Sequence, residues 1–139
     1  MDLTAFYDHE FDEHEAIVRA TRDAVSVPFA ALCGAAQKVL SAGNKIVFFG
    51  NGGSAADSRH LATEMLVRYK TNRAPLVASA LNTDPSLLTA ALTGRSGGDL
   101  PGLADPLVMV PSITIERIQK MHIMIGHMLC DVFEQTCDR

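Results

Sequence analysis

Residues 45–60 read KIVFFGNGGSAADSRH, and this stretch decides the fold. The run Lys45–Phe49 is short, apolar, β-branched and aromatic, which is typical of a strand that is covered on both faces. The glycine-rich turn Gly50–Ser54 follows, and a helix is expected from Ala55 to about Tyr69. Strand, turn and helix in this order form a βα unit, so the sequence predicts a central parallel strand.

Similar patterns extend to both ends of the chain. Two further strands are predicted at Pro75–Leu81 and at Leu107–Val110, the second closed by Pro111. A short helix is expected to open at Asp84-Pro85-Ser86. A long helix is expected from Ile113 to about Thr136. Alternating strands and helices favour an α/β domain with a mostly parallel sheet, built as a three-layer αβα sandwich.

The first 43 residues carry two helical patterns. One is acidic and runs from Phe6 to Val25, and the other is rich in alanine and leucine and runs from Pro28 to Leu40, ending near Gly43. The sequence therefore predicts an N-terminal helical hairpin. A length of 139 residues fits one domain, covering 1–139.

Composition narrows the possible functions. The 12 basic and 16 acidic residues give a mildly negative chain, without the basic stripe of a nucleic-acid-binding protein. No unbroken apolar run approaches the roughly 20 residues that span a bilayer, and the N-terminus lacks the basic start of a signal peptide. We therefore expect a cytoplasmic protein with no nucleic acid or membrane partner. Three cysteines, Cys33, Cys130 and Cys137, show no CxxC spacing, so reduced thiols are expected and a cysteine zinc site is not.

The turn Gly50–Ser54 is a candidate binding site. Glycines permit a close approach of backbone N–H groups to an anion, and Ser54 is placed to cap the following helix. A sugar phosphate or its hydroxyls could bind there. A tight turn with no ligand is the alternative, because a short glycine-rich motif alone is a weak signal and no lysine follows to make a P-loop.

Two helices carry candidate catalytic or metal-binding side chains. His60 and Glu64 are four residues apart and share one helix face, which suits two ligands of one metal ion or a base with its partner. A solvated contact between them is the alternative. The last helix carries Gln119, His122 and His127, and either histidine could instead be a core residue bonded to a carbonyl. This helix is apolar on more than one side, so we expect part of it to be buried against another subunit.

These residues resemble the phosphoheptose isomerases, which are sugar isomerase (SIS) domain proteins. The resemblance rests on Gly50–Asp57, His60–Glu64 and Arg68-Tyr69, and further on Ala91–Gly98 and Arg117–His127. It implies an isomerase that interconverts D-sedoheptulose 7-phosphate and D-glycero-D-manno-heptose 7-phosphate through an enediol, for the synthesis of bacterial surface heptose. It also implies a homotetramer with active sites at subunit interfaces.

The resemblance further implies a bound zinc ion and assigns residues to roles. The positions that match the metal ligands are His60, Glu64, Gln119 and His127. Glu64 and His127 match the catalytic acid–base pair. Substrate binding is assigned to Asn51, Gly52, Gly53, Ser54, Glu64, Arg68 and Gln119. The spacing alone would not have suggested the metal set, because Gln119 and His127 lie about 12 Å apart along a straight helix.

The sequence departs from the family between Ala90 and Ala91. The family carries a helix, a strand and a Ser/Thr-rich phosphate-binding loop there, on the order of 30 residues or more. Without them Ala91-Leu92 is a two-residue stub of a strand, which is too short for a sheet. Either the chain lacks the segment, which would put the isomerase activity in doubt, or the sequence omits residues that are not resolved. We favour the second interpretation and expect the Cα atoms of Ala90 and Ala91 to lie much farther apart than the roughly 3.8 Å of a trans peptide.

Three other functions remain open. A non-catalytic SIS-domain protein, such as a replication initiator-associating protein, has no need of His60, Glu64, Gln119 and His127 together. A sugar-phosphate-sensing regulator would keep the glycine turn but could dispense with the acid and base. A nucleotide-binding domain is the least favoured, because no acidic residue ends the second strand to bind a ribose.

Overall fold

The computed structural model describes residues 2–67, 69–81, 91–97, 101 and 104–136. The described residues form three helices and four short strands of an α/β fold. In chain order these are α1 (Leu3–Ser41), β1 (Ile46–Phe48), α2 (Gly53–Leu66), β2 (Ala78–Ala80), β3 (Ala91–Gly94), β4 (Leu107–Val110) and α3 (Ile115–Thr136). The predicted strand at Leu107–Val110 and the C-terminal end of the last helix are confirmed.

The N-terminal region is one helix, so the predicted helical hairpin is wrong. Helix α1 has 39 residues and runs through Pro28. Proline removes one intrahelical hydrogen bond and disfavours a helix interior. The buried side chains of α1 nevertheless form a single stripe that continues on both sides of Pro28, namely Thr21, Val25, Leu32 and Cys33. Burial of this stripe outweighs the cost of the proline.

The strands form two separate parallel pairs. β1 pairs with β2 in the register Val47 to Ser79, and β3 pairs with β4 in the register Leu92 to Val108. No hydrogen-bonded strand joins the two pairs among the described residues. Parallel pairing agrees with the sequence, but the two-residue stub expected at Ala91-Leu92 is wrong, because β3 extends to Gly94.

The interpretation that residues are missing from the sequence at Ala90 is also wrong. The full chain has 139 residues, and Ala90 and Ala91 are consecutive in it. Ala90 lies outside the described residues, as do the helix expected at Asp84-Pro85-Ser86 and the side chains of Arg68 and Cys137.

Helices α2 and α3 pack side by side and run in the same direction. Gly126 of α3 lies so close to α2 that an added Cβ atom would meet Leu61 Cδ1 at 2.6 Å. Near the start of both helices, Gly53 touches Gln119. The core beneath them includes Met65, Val108 and Phe133, all fully buried. Because the two helices are parallel, the start of α2 contacts the start of α3, and later residues of α2 contact later residues of α3.

Helix α1 packs on both α3 and β4. By length and composition alone it is apolar enough to cross a membrane, and only 17% of its most apolar stretch is buried. No unbroken apolar run marks this helix in the sequence, because a few polar residues interrupt its apolar stretch. A single such helix is weak evidence of a membrane segment.

Candidate active site

The glycine turn leads directly into α2. The helix begins at Gly53, two residues earlier than expected, and Gly52 precedes it as the N-cap residue with φ +57°. Only glycine adopts this conformation readily. The cap makes no side-chain hydrogen bond, so the prediction that Ser54 caps the helix is wrong. Ser54 lies within the first turn instead, where its carbonyl accepts a hydrogen bond from the Ser58 hydroxyl at 2.7 Å.

The turn is closed tightly on itself. The N–H groups of Ser54 and Ala55 donate to the carbonyls of Asn51 and Gly52 at 3.1 and 3.2 Å. A Cβ atom on Gly50 would lie 2.6–2.8 Å from the Cβ, carbonyl oxygen and carbonyl carbon of Ser54. The turn therefore needs glycine at position 50 for space and at position 52 for conformation. The positive end of the α2 dipole lies at this turn, where it would favour an anion.

His60, Glu64 and His127 converge where α2 meets α3. His60 Nε2 lies 3.0 Å from His127 Nε2 and 3.1 Å from Glu64 Oε1. His127 Nε2 lies 3.5 Å from Glu64 Oε2. Glu64 is the deepest member, with 16% of its side chain exposed, against 33% for His127 and 52% for His60. Two imidazoles and a carboxylate thus share one partly open site, and these are three of the four residues that the resemblance implied as metal ligands.

The spacing of these atoms fits a metal ion. A tetrahedral zinc centre with bonds of about 2.0–2.1 Å holds its ligand atoms about 3.3 Å apart, which is the scale of the three observed separations. One ligand atom from each residue lies within 4.8 Å of the others. Glu64 Oε2 is buried without a hydrogen-bond partner, which leaves it free to bind a cation. Three protein ligands would leave a fourth position for substrate or water.

Gln119 is placed by its contact with the start of α2. Its side chain lies against Gly53, where an added Cβ atom would meet Gln119 Nε2 at 1.9 Å. Gly53 precedes His60 by seven residues, about 10 Å along α2. The structure therefore places Gln119 beside the glycine turn, close to one set of predicted substrate-binding residues.

The side chain of His122 lies between α3 and β3 and has a structural contact there. Burial lowers the pKa of His122, while a hydrogen bond with the backbone of Thr93 in β3 acts to raise it. The partly buried side chain thus links α3 to β3. Cys33 and Cys130 are free and buried, and burial raises the pKa of Cys130 to about 12.

Sequence reasoning missed the residues that surround His127. The Tyr69 ring stacks on the His127 imidazole, with centroids 5.3 Å apart and planes inclined by 20°. Both rings line an open cleft of about 390 Å³, together with Lys70, Ile123, Met124, Met128 and Asp131. Tyr69 was expected within a helix, but α2 ends at Leu66, and only the turn beyond it brings the ring to His127. No spacing in the sequence signals this contact.

Comparison with known proteins identifies the family. A phosphoheptose isomerase from Paramagnetospirillum magneticum is 38% identical, in a match that covers 96% of this chain and 97% of the relative. A phosphoheptose isomerase from Aquifex aeolicus is 34% identical over 72% of this chain and 80% of the relative.

The chain belongs to the phosphoheptose isomerase family. Two solved structures of phosphoheptose isomerases share its fold. The one from Francisella tularensis superposes with a TM-score of 0.87 at 22% identity, covering 98% of this chain and 100% of the other. The one from Neisseria gonorrhoeae has a TM-score of 0.82 at 24% identity, covering 96% and 100%. No family model matches the chain.

The phosphoheptose isomerase from P. magneticum is matched over 186 residues, 47 more than this chain contains. The chain therefore lacks an internal segment that this relative has. Among the described residues no strand joins the two strand pairs, which is consistent with the loss of a strand between them. The comparisons give no support to a replication-associated binding protein.

Proposed function

We propose that the protein interconverts D-sedoheptulose 7-phosphate and D-glycero-D-manno-heptose 7-phosphate. The observation that carries this proposal is the convergence of His60, Glu64 and His127 in a chain of the phosphoheptose isomerase family. An aldose–ketose isomerisation needs a base that removes a proton beside the carbonyl and an acid that returns one to the neighbouring carbon. A partly buried carboxylate and an imidazole are suited to these two roles.

Glu64 and His127 form the proposed acid–base pair. Their facing atoms, Oε2 and Nε2, lie 3.5 Å apart, so both can reach neighbouring carbons of one enediol. Asn51, Gly52, Gly53 and Ser54 are proposed to bind the substrate at the start of α2, with Gln119 beside them and with Arg68. Stacking on Tyr69 fixes the plane of the His127 ring.

We propose that zinc binds to His60, Glu64 and His127. When bound, the ion would polarise the substrate carbonyl and neutralise charge on the enediolate oxygens. Gln119 remains a predicted fourth ligand, but its contact with Gly53 favours its other predicted role, in substrate binding. The His127 nitrogen that would hold the ion is also the atom assigned to proton transfer, and one nitrogen cannot do both at once, so His127 would move a proton only while it is not bound to zinc.

The direct test is conversion of sedoheptulose 7-phosphate by the purified full chain, with and without a chelator. We expect turnover that the chelator abolishes and added Zn²⁺ restores. Because the phosphate-binding loop implied by the resemblance has no counterpart here, a high KM is expected. Absence of turnover at saturating substrate and Zn²⁺ would reject the proposed function.

Metal content gives an independent prediction. Protein prepared without chelator is expected to contain about one zinc per chain, and His60→Ala should lower the occupancy several-fold because one of three ligands is lost. Elemental analysis of both proteins measures this. His9→Ala, which changes an exposed histidine of α1, is the matched control. Equal zinc in His60→Ala and the parent would remove His60 from the ligand set.

We propose a homotetramer assembled through α1 and α3. Both helices leave apolar surface uncovered, including Phe6 and Phe11 on α1 and Met124 on α3, which are 51%, 60% and 47% exposed. An apolar cleft of about 350 Å³ lies between the two helices. Light scattering should give the mass of a tetramer at micromolar concentration, and a monodisperse monomer would contradict this assembly.

We further propose that the chain is a single SIS domain with the three-layer arrangement of that fold. Its cellular setting would be the cytoplasm, where the product would supply heptose for a surface polysaccharide. The family membership supports these assignments.

A further inference from the structure

A buried carboxylate of α3 organises the turn that follows α2. Glu134 is only 5% exposed. Its Oε1 accepts the N–H of Tyr69 at 2.7 Å, and its Oε2 accepts the N–H groups of Lys70 and Thr71, both at 2.9 Å. The Thr71 hydroxyl also donates to Oε2, at 3.1 Å. One side chain thus holds three consecutive backbone amides.

Arg73 joins this carboxylate to the end of α2. Its Nε lies 3.4 Å from Glu134 Oε1, and the two side chains are 1% and 2% exposed. The same guanidinium donates to the carbonyl of Met65 at 2.8 Å and to the carbonyl of Glu64 at 3.0 Å. The last carbonyls of a helix have no partner within it, and Arg73 donates to two of them, one of which, that of Met65, also accepts the Leu76 N–H at 3.1 Å.

Arg73 and Glu134 are connected to both members of the proposed acid–base pair, Glu64 and His127. Arg73 fixes the backbone of Glu64 directly. Glu134 fixes the backbone of Tyr69, whose ring stacks on His127. We propose that Arg73 and Glu134 are positioning residues that set Glu64 and His127 at their working separation. This inference rests on the proposed function for its catalytic consequence.

Stability alone does not require such a pair. Removing two charges from water is costly, and apolar side chains of similar size commonly replace a buried ion pair with no loss of stability. The directed hydrogen bonds are what apolar residues cannot supply. If apolar side chains replaced Arg73 and Glu134, the backbone amides of residues 69–71 would donate hydrogen bonds to water instead, since Lys70 and Thr71 are exposed. The turn would lose its fixed geometry while the core stayed filled.

The test compares Glu134→Ala with the double variant Arg73→Met/Glu134→Leu. The double variant leaves no buried unpaired charge, so it should fold even if Glu134→Ala does not. Arg19→Ala, which removes an exposed ion pair on α1, is the control. Hydrogen exchange of the amides of residues 69–71, Zn²⁺ affinity by titration of the metal-free protein, and kcat and KM are measured for each.

In the folded double variant we expect loss of amide protection at residues 69–71 and Zn²⁺ binding about tenfold weaker, because groups that orient metal ligands contribute on that scale. We expect kcat about tenfold lower with KM within about twofold, since a small misplacement of a catalytic group slows the chemical step. Arg19→Ala should match the parent protein.

Unchanged Zn²⁺ affinity and kcat in the folded double variant would overturn the proposal. So would failure of both variants to fold, because the pair would then be required for folding itself. If the parent protein binds Zn²⁺ but turns over no sugar phosphate, the proposed function fails while the Zn²⁺ affinities and amide exchange still decide the positioning role.

Discussion

Glu64→Gln and His127→Ala are each expected to lower turnover by about 10²-fold or more. Loss of a general acid or base typically costs 10²–10⁴-fold. Glutamine keeps the shape of Glu64 but can neither accept a proton as a base nor carry the charge that faces the two histidines. His127→Ala removes the ring that links Glu64 to His60. Both changes act on side chains at a partly open site, so the fold should survive.

The measurement is kcat at saturating Zn²⁺, with circular dichroism and light scattering to show an intact fold and assembly. Glu15→Gln and His9→Ala repeat the same chemical changes on the exposed face of α1 and should keep wild-type turnover. Wild-type rates in Glu64→Gln or His127→Ala would reject the acid–base assignment.

Gly50→Ala is expected to disrupt the turn that opens α2. The new methyl group would lie 2.7 and 2.8 Å from the carbonyl oxygen and carbon of Ser54, which are backbone atoms that cannot move aside alone. Overpacking of this kind costs about 1–3 kcal/mol of unfolding free energy. A displacement of about 1 Å at the start of α2 should also slow turnover by up to about 10²-fold.

Gly34→Ala is the matched control for that change. Gly34 lies in the interior of α1 with no atom within 4 Å of an added Cβ. Alanine is favoured over glycine in a helix by about 0.5–1 kcal/mol, so this variant should be slightly more stable. Thermal or denaturant unfolding of the two variants provides the comparison. Equal stability of Gly50→Ala and the parent would show that the turn is not sterically closed.

Local patterns predicted the fold well where neighbours in sequence decide it. The apolar periodicity from Met121 to Leu129 and the β-branched run at Leu107–Val110 mark α3 and β4 correctly, because burial of one face or both is visible in the residue order. At Pro28, by contrast, the local pattern gave a wrong prediction. Its local preference ends a helix, but the packing of α1 on α3 and β4 overrides that preference, and such packing is not visible in the sequence.

The contacts of the candidate site also differ in whether the sequence could predict them. His60 and Glu64 share one helix face by spacing alone, so their proximity was predictable. His127 joins them only because α2 and α3 run parallel, and the sequence alone supplied it through resemblance. Tyr69, Arg73 and Glu134 are connected by a turn between distant segments, so no periodic pattern marks them. Gln119 touches Gly53, another residue that the resemblance assigned to substrate binding, and no spacing in the sequence signals that contact.

The division of the strands into two pairs affects the tendency of this chain to self-associate through strand edges. A continuous sheet has two edge strands, whereas the two described pairs have four. Each edge presents unpaired N–H and C=O groups that can template pairing with another chain. All four described strands have only three or four residues, and short strands are poor templates. We therefore expect short strands to limit edge-to-edge association of copies at high concentration, and lengthening any of the four should favour aggregation.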